Sequence, residues 1–365
     1  MFVNDFDYEL PPDLIAQEPT AERSAARLLL LSSDTGCISH RTMDDLPDLL
    51  RAGDLLVVND TRVFPARLLG RREPSGGVVE CLLVARLDEE LRADGSEERW
   101  EALMHPGQKL KPGARVSFDG ASGLQAEVLE RRFYGRRVIR LWTADASPVT
   151  AAVDALGHIP LPPYIKRPDR AADRERYQTV FARHRGSVAA PTAGLHFSPQ
   201  LLTALENRGV ERAAITLHVG YGTFQPVRVE RAEDHRMEPE AYSISNEAAA
   251  AVNRALDERR RVVAIGTTTT RALEAVGRAH GGRLVAGTGT TDLFIHPPFA
   301  FSVTRGLLTN FHLPRSSLLM LVCAFAGHDH VLAAYRSAVA ARYRFYSYGD
   351  ATLILSDGQN DQMTK

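Results

Sequence analysis

His196, His218 and His312 are the residues of this 365-residue chain best suited to moving protons. Each stands beside glycine or proline at the edge of an apolar run: PTAGLHF (191–197), LHVGYG (217–222) and NFHLP (310–314). That pattern puts a side chain in a turn at the end of a buried element. Loops on an α/β scaffold present catalytic groups there. Imidazole titrates near neutral pH and serves as either acid or base. A hydrogen-bonded structural histidine is the alternative for each. Asp350 in YSYGDA, and Asp60 with Arg62 in NDTRV, are further polar candidates. A turn-forming aspartate is the alternative there.

GTTTTR (266–271) follows an apolar run and opens a helical pattern. Free N–H groups at a helix start, with threonine hydroxyls, hold anionic groups well. Gly266, Thr267, Thr268 and Arg271 therefore join Thr192, Gly194 and Asn310 as candidate cofactor-binding residues. Simple capping by Thr267 or Thr268 is the competing explanation. No G-x-G-x-x-G follows the first strand, and GTGTTD (287–292) is too weak a signal for a dinucleotide site.

The formal net charge is −1, which gives no general attraction to nucleic acid. Only four of the 44 basic residues are lysines. Arginine forks onto phosphate, although arginine-rich codon usage accounts for the skew as well. Distribution is therefore the better guide. RRFYGRRVIR (131–140) has five arginines and two aromatics around a glycine turn. That is a hairpin able to reach along a backbone and stack on bases. KRPDRAADRERYQTVFARHR (166–185) carries eight basic residues, His184 included, against three acidic ones. Arg62, Arg131, Arg132, Arg136, Arg137, Lys166 and Arg167 form the candidate RNA-binding set. A solvated hairpin and a salt-bridged helix are the plain alternatives.

The elements that must position these residues change character along the chain. DLLVV (54–58) reads as a buried strand. Residues 64–149 hold short β-rich segments punctuated by Gly and Pro, as in a small antiparallel barrel. Pro160, Pro162 and Pro163 then enforce a stiff return path. Beyond them strands and helices alternate, and Ser198 and Asn246 are candidate helix caps. The expected architecture is an α/β main domain, residues 1–63 plus 150–356, interrupted by an inserted β-barrel at 64–149. A disordered tail is expected at 357–365.

The acidic start, with Asp5, Asp7 and Glu9, is unlike a secretion signal. The longest apolar run, 318–326, is too short for a membrane span. Cys37, Cys81 and Cys323 make neither a disulfide framework nor a zinc motif, and HDH (328–330) lacks further ligands. A cytoplasmic protein without metal, membrane or obligate protein partner is expected.

Eight segments carry a resemblance. They are NDTRVFPARL, GHIPLPPYI, YQTVFA, PTAGLHF, LHVGYGTFQPV, GTTTTRALE, LLTNFHLPRSS and YRFYSYGDATLI, in that order. Together they resemble the S-adenosylmethionine:tRNA ribosyltransferase-isomerase family of queuosine biosynthesis. The likeness runs from DFDYELPPDLIAQEP to Ile354 and is weakest over 70–150. Thr269 and Thr270 stand where members more often carry serine or valine, a conservative departure. The resemblance implies a main α/β domain with a barrel insertion. It implies S-adenosylmethionine as co-substrate and, as partner, tRNA bearing 7-aminomethyl-7-deazaguanine at the wobble position. The ribosyl part would be transferred and isomerised to give epoxyqueuosine, with adenine and methionine released. An RNA methyltransferase, or a silent tRNA-binding protein, is the rival. The former needs a Gly-rich loop after its first strand, and this chain lacks one.

Overall fold

The computed structural model describes residues 1–87, 94–120, 122–224 and 227–356. The expected disordered tail, 357–365, lies outside the described residues. Strands are numbered along the chain. First come β1 (Arg27–Ser32), β2 (Ile38–Thr42), β3 (Leu55–Asn59) and β4 (Thr61–Val63). Next are β5 (Arg67–Arg72), β6 (Gly77–Arg86), β7 (Glu97–His105), β8 (Arg115–Phe118), β9 (Gln125–Arg131) and β10 (Arg136–Trp142). Then follow β11 (His184–Ser187), β12 (Glu211–Leu217), β13 (Glu240–Ile244), β14 (Val262–Ile265), β15 (Gly287–Thr291), β16 (Gly306–Asn310) and β17 (Ala351–Leu355).

The DLLVV run is buried at every strand position because β3 lies inside a sheet covered on both faces. That sheet has nine strands in the order β15-β13-β12-β3-β14-β16-β17-β1-β2. β12, β3, β14 and β16 run parallel, and β17 and β1 form a second parallel pair. The β16–β17 pairing between them is antiparallel, so the sheet is mixed. Alternate residues of β3 face opposite cores. Leu55 and Val57 pack under helices Asn246–Asp257, Thr267–Ala279, Ser317–Ala326 and His328–Ala340. Leu56 and Val58 pack against helix Pro199–Asn207. Ser198 caps that helix through Leu201 N at 3.1 Å, as the sequence suggests. Ser245, not Asn246, caps the next one, because its extended backbone lets Oγ accept from Ala248 N.

The insertion closes as a six-stranded antiparallel barrel, β10-β7-β6-β5-β8-β9. Its period-two pattern fills the interior: on β7, Trp100, Ala102 and Met104 point in between half-buried neighbours. Helix Val149–Leu156 crosses the expected boundary at 149. Val149, Ala152 and Val153 join the barrel core. Gly157 then passes so close to the Pro65 carbonyl that a Cβ would meet it at 1.9 Å. A short parallel ribbon, β4 with β11, links the barrel's root to the main sheet. Among the described residues no single helix is long and apolar enough to cross a membrane.

Candidate active site

A cleft opens beyond the C-terminal ends of β14 and β16, the edge where open α/β sheets place ligands. The cavity itself measures about 100 Å³, within about 860 Å³ of unfilled space that runs out into open solvent. Gly266 turns β14 into helix Thr267–Ala279 with φ +94°, a conformation that glycine adopts at little cost. No side chain caps this helix. Thr269 and Thr270 hydroxyls turn back onto the carbonyls of Ile265 and Gly266, at 2.8 and 3.1 Å. Thr267 and Thr268 line the cleft instead. The helix start is thus an anion-friendly wall without an internal anion.

Thr309, Asn310 and His312 form the wall opposite. His312 Nε2 lies 3.0 Å from Thr309 Oγ1, and the His312 carbonyl accepts from Tyr8 Oη at 2.5 Å. Burial pushes the His312 imidazole down to about 3, so it is neutral at pH 7. Thr268 Oγ1, Asn310 Oδ1 and Tyr346 Oη are buried without a hydrogen-bond partner, and all three residues line this cleft. An unpaired buried polar group costs about 1–3 kcal/mol. Three on one cleft are partners for whatever occupies it, solvent or solute. Among the described residues lining it there is no carboxylate, and Arg315 carries the positive charge.

Tyr164 and Tyr346 also line the cleft, stacked with ring centroids 4.4 Å apart. Tyr346 is a non-glycine residue at φ +72°, strain of a kind that gathers at functional sites. Neither tyrosine stands among the sequence candidates. Each is an aromatic in a Gly- or Pro-rich motif, GHIPLPPYI and YRFYSYGD, and that was the available signal.

The other candidates fall in several places. Thr192 lines the cleft, and Gly194 lies behind it, where a Cβ would meet Thr179 at 2.8 Å. His196 is buried behind Asn310, 3.1 Å from its Nδ2. Burial, helped by Arg23 and Arg344, pushes His196 down to about 4. Arg271 is not on the cleft wall; it pairs with Glu240 at 2.6 Å. Asp350 accepts from the main-chain N–H groups of Arg27 and Arg344, at 3.0 and 2.8 Å, and so pins its turn. His218 lies at the β4–β11 ribbon, 2.8 Å from Thr61 Oγ1. Burial and His184 lower its pKa against the opposing pull of Asp60.

The basic set divides as well. Arg62, Arg131, Arg132 and Lys166 are exposed. Arg136 bridges Glu101 and Glu238. Arg137 is 1% exposed and donates to the carbonyls of Leu110 and Gly107. Arg167 is held by Asp173 and Glu18.

The family model described as "Queuosine biosynthesis protein" matches residues 3–354. The chain belongs to the queuosine biosynthesis protein family. It is 49% identical to the S-adenosylmethionine:tRNA ribosyltransferase-isomerase of Heliobacterium modesticaldum, over 96% of this chain and 98% of that one. It is 52% identical to the Anaeromyxobacter protein of the same name, over 97% and 99%. The crystal structure of the Thermotoga maritima S-adenosylmethionine tRNA ribosyltransferase is 38% identical, covers 96% of this chain and 100% of that one, and superposes with a TM-score of 0.54. The mixed sheet with its inserted barrel is thus the fold of a queuosine biosynthesis protein.

Proposed function

We propose that this queuosine biosynthesis protein transfers and isomerises the ribosyl part of S-adenosylmethionine onto 7-aminomethyl-7-deazaguanine at the wobble position of tRNA. The product is epoxyqueuosine, with adenine and methionine released. The observation that carries the reading is the convergence of Thr268 Oγ1, Asn310 Oδ1 and Tyr346 Oη, unpartnered, on one cleft. A polar, partly charged co-substrate supplies the missing partners. Relatives near 50% identity over their full length bear the enzyme's name. Working on tRNA, the enzyme belongs in the cytoplasm.

The reaction makes three demands on protons. The carbon beside the sulfonium must lose one, the attacking amine must be neutral, and departing adenine must gain one. His312 is the histidine at the cleft wall, and its neutral imidazole can accept a proton at one ring nitrogen, with the Thr309 hydroxyl beside Nε2. The methionine carboxylate suits the uncapped start of helix Thr267–Ala279, with Arg315 nearby. Tyr164 and Tyr346 offer a stacking face for a purine. The exposed Arg62, Arg131 and Lys166 are candidates for phosphate contact.

The test is incubation with S-adenosylmethionine and tRNA bearing the 7-deazaguanine amine. Mass spectrometry of the wobble base must find the epoxycyclopentanediol, with equal amounts of free adenine and methionine. S-adenosylhomocysteine instead would support methyl transfer.

A further inference from the structure

Asn310 has two neighbours that fix which way its amide faces. Nδ2 lies 3.1 Å from the carbonyl oxygen of Tyr346 and 3.1 Å from His196 Nε2. A carbonyl only accepts, so the amide nitrogen must face Tyr346, and the same nitrogen then donates to His196. His196 Nε2 is therefore an acceptor, and the imidazole carries its proton on Nδ1. Asn310 Oδ1 is left buried with no partner. Asn310 lines the cleft, whereas His196 does not. His196 borders a smaller hollow behind the wall, with Arg23, Arg176 and Gly349.

We propose that His196 is a positioning residue: its Nε2 lone pair holds the Asn310 amide so that Oδ1 serves the cleft as an acceptor for an N–H or O–H donor of S-adenosylmethionine. The inference rests on reading the cleft as the co-substrate site. Without the imidazole, Asn310 keeps one anchor, the Tyr346 carbonyl, and its side chain can swing about that single hydrogen bond, so that Oδ1 is no longer fixed toward the cleft. The second amide hydrogen is then buried without an acceptor. The fold supports the remaining anchor at a cost, since Tyr346 holds φ +72°. Burial, reinforced by Arg23 and Arg344, keeps His196 neutral, as an acceptor role at Nε2 requires.

A double-mutant cycle on S-adenosylmethionine affinity tests this, read by calorimetry on the full-length protein. Asn310→Ala should weaken binding about tenfold or more, the size of one buried hydrogen bond to a ligand. His196→Leu, close in volume but without a lone pair, should weaken it to a similar degree. The double variant should bind no worse than Asn310→Ala alone. His196→Gln, whose carbonyl oxygen can accept, should restore most of the affinity. An S-adenosylmethionine analogue with the adenine amine replaced by oxygen separates the donors. Equal loss of that analogue's binding to wild type and to Asn310→Ala assigns a ribose hydroxyl or the ammonium; loss only in wild type assigns the adenine amine.

Multiplying losses in the double variant would overturn the proposal. So would wild-type affinity in His196→Leu. A fall of about 10²-fold in kcat for His196→Gln at saturating co-substrate would make His196 a proton-transfer group instead, and overturn it too. If wild type binds no S-adenosylmethionine, the reading of the cleft itself fails, an outcome distinct from an additive cycle in a protein that binds.

Discussion

Arg271 and Glu240 face each other at 2.6 Å inside the protein, their side chains 3% and 4% exposed. Arg271 lies one turn into the helix whose start lines the cleft, and its Nε donates to the Leu293 carbonyl. The second oxygen of Glu240 accepts from Gly220 N at 3.0 Å. One ion pair thus ties the helix start to β13 and to the LHVGYG turn.

Breaking that pair from one side leaves a charge buried. Arg271→Ala should cost about 3–5 kcal/mol in chemical denaturation, because the buried Glu240 carboxylate loses the guanidinium that faces it. Arg271→Met with Glu240→Gln should cost clearly less than the single change. Equal losses would mean that the pair's burial is not what stabilises this corner.

His312 and His218 should separate in turnover. His312 is at the cleft wall, and His218 is at the β4–β11 ribbon against Gly186 and Thr61. His312→Ala should lower kcat by about 10²–10⁴-fold in the folded protein. His218→Ala should change kcat far less. The reverse ranking would move the proton chemistry to the ribbon, where Asp60 and His184 stand 3.6 Å apart.

Acid should destabilise the protein through its buried histidines. Folding lowers His196 to about 4 and His312 to about 3, from an ordinary 6.5. Between those values and 6.5 the unfolded chain binds more protons than the folded one. Their stabilising effect is complete above about pH 6.5 and declines as pH falls toward 4. Thermal unfolding at pH 7.5 and pH 5.0 checks this. The drop in Tm should be smaller in the His196→Gln, His312→Gln double variant than in wild type, and an equal drop would assign acid sensitivity to groups other than these histidines.

Basic residues should divide by what they hold. Arg131→Glu and Lys166→Glu should weaken tRNA binding and flatten its salt dependence by about 0.7–0.9 per lost phosphate contact, with Tm unchanged. Arg137→Glu should instead lower Tm, because its guanidinium holds the Gly107–Leu110 turn of the barrel. Arg167→Glu should do the same through Asp173. Filter binding across a salt series, beside melting curves, distinguishes the two classes.

What the sequence made legible follows from how local each feature is. β3 and the Ser198 cap depend on neighbours in the chain, and both stand where periodicity and side-chain type put them. The barrel's alternation was visible, but its end was not. Helix Val149–Leu156 has an apolar face that fits either core, and only packing decides which one it joins. Thr267, Thr268, Asn310 and His312 converge because β14 and β16 are neighbours in the sheet. Arg137 and Arg167 read as surface charge in a string of arginines. Arg137's carbonyl partners come from a turn that spacing does not reveal, whereas Arg167's Asp173 lies in its own segment, where ion pairing was the plain alternative. The left-handed backbone of Tyr346 leaves no mark on composition at all.

The barrel should be dispensable for holding S-adenosylmethionine. The described residues lining the cleft are Tyr164 and others from 189 onward, none of them from 64–157. The chain enters and leaves the barrel at one place: Arg67 N donates to the His158 carbonyl at 3.2 Å, and His158 N donates to Arg67 O at 2.8 Å. Replacing residues 66–157 with a short Gly/Ser bridge therefore closes a small gap, and closure entropy grows slowly with loop length. Across the junction the deletion breaks the ion pairs of Arg136 with Glu238, just before β13, and of Asp154 with Arg185. The shortened protein should bind S-adenosylmethionine within about threefold of the full chain, or about 0.7 kcal/mol, by calorimetry. Its tRNA affinity should fall, since Arg131 and Arg132 leave with the barrel. A deletion protein that keeps its far-UV helix signal but no longer binds S-adenosylmethionine would mean that the barrel, through Glu238 and the LHVGYG turn, completes the cleft.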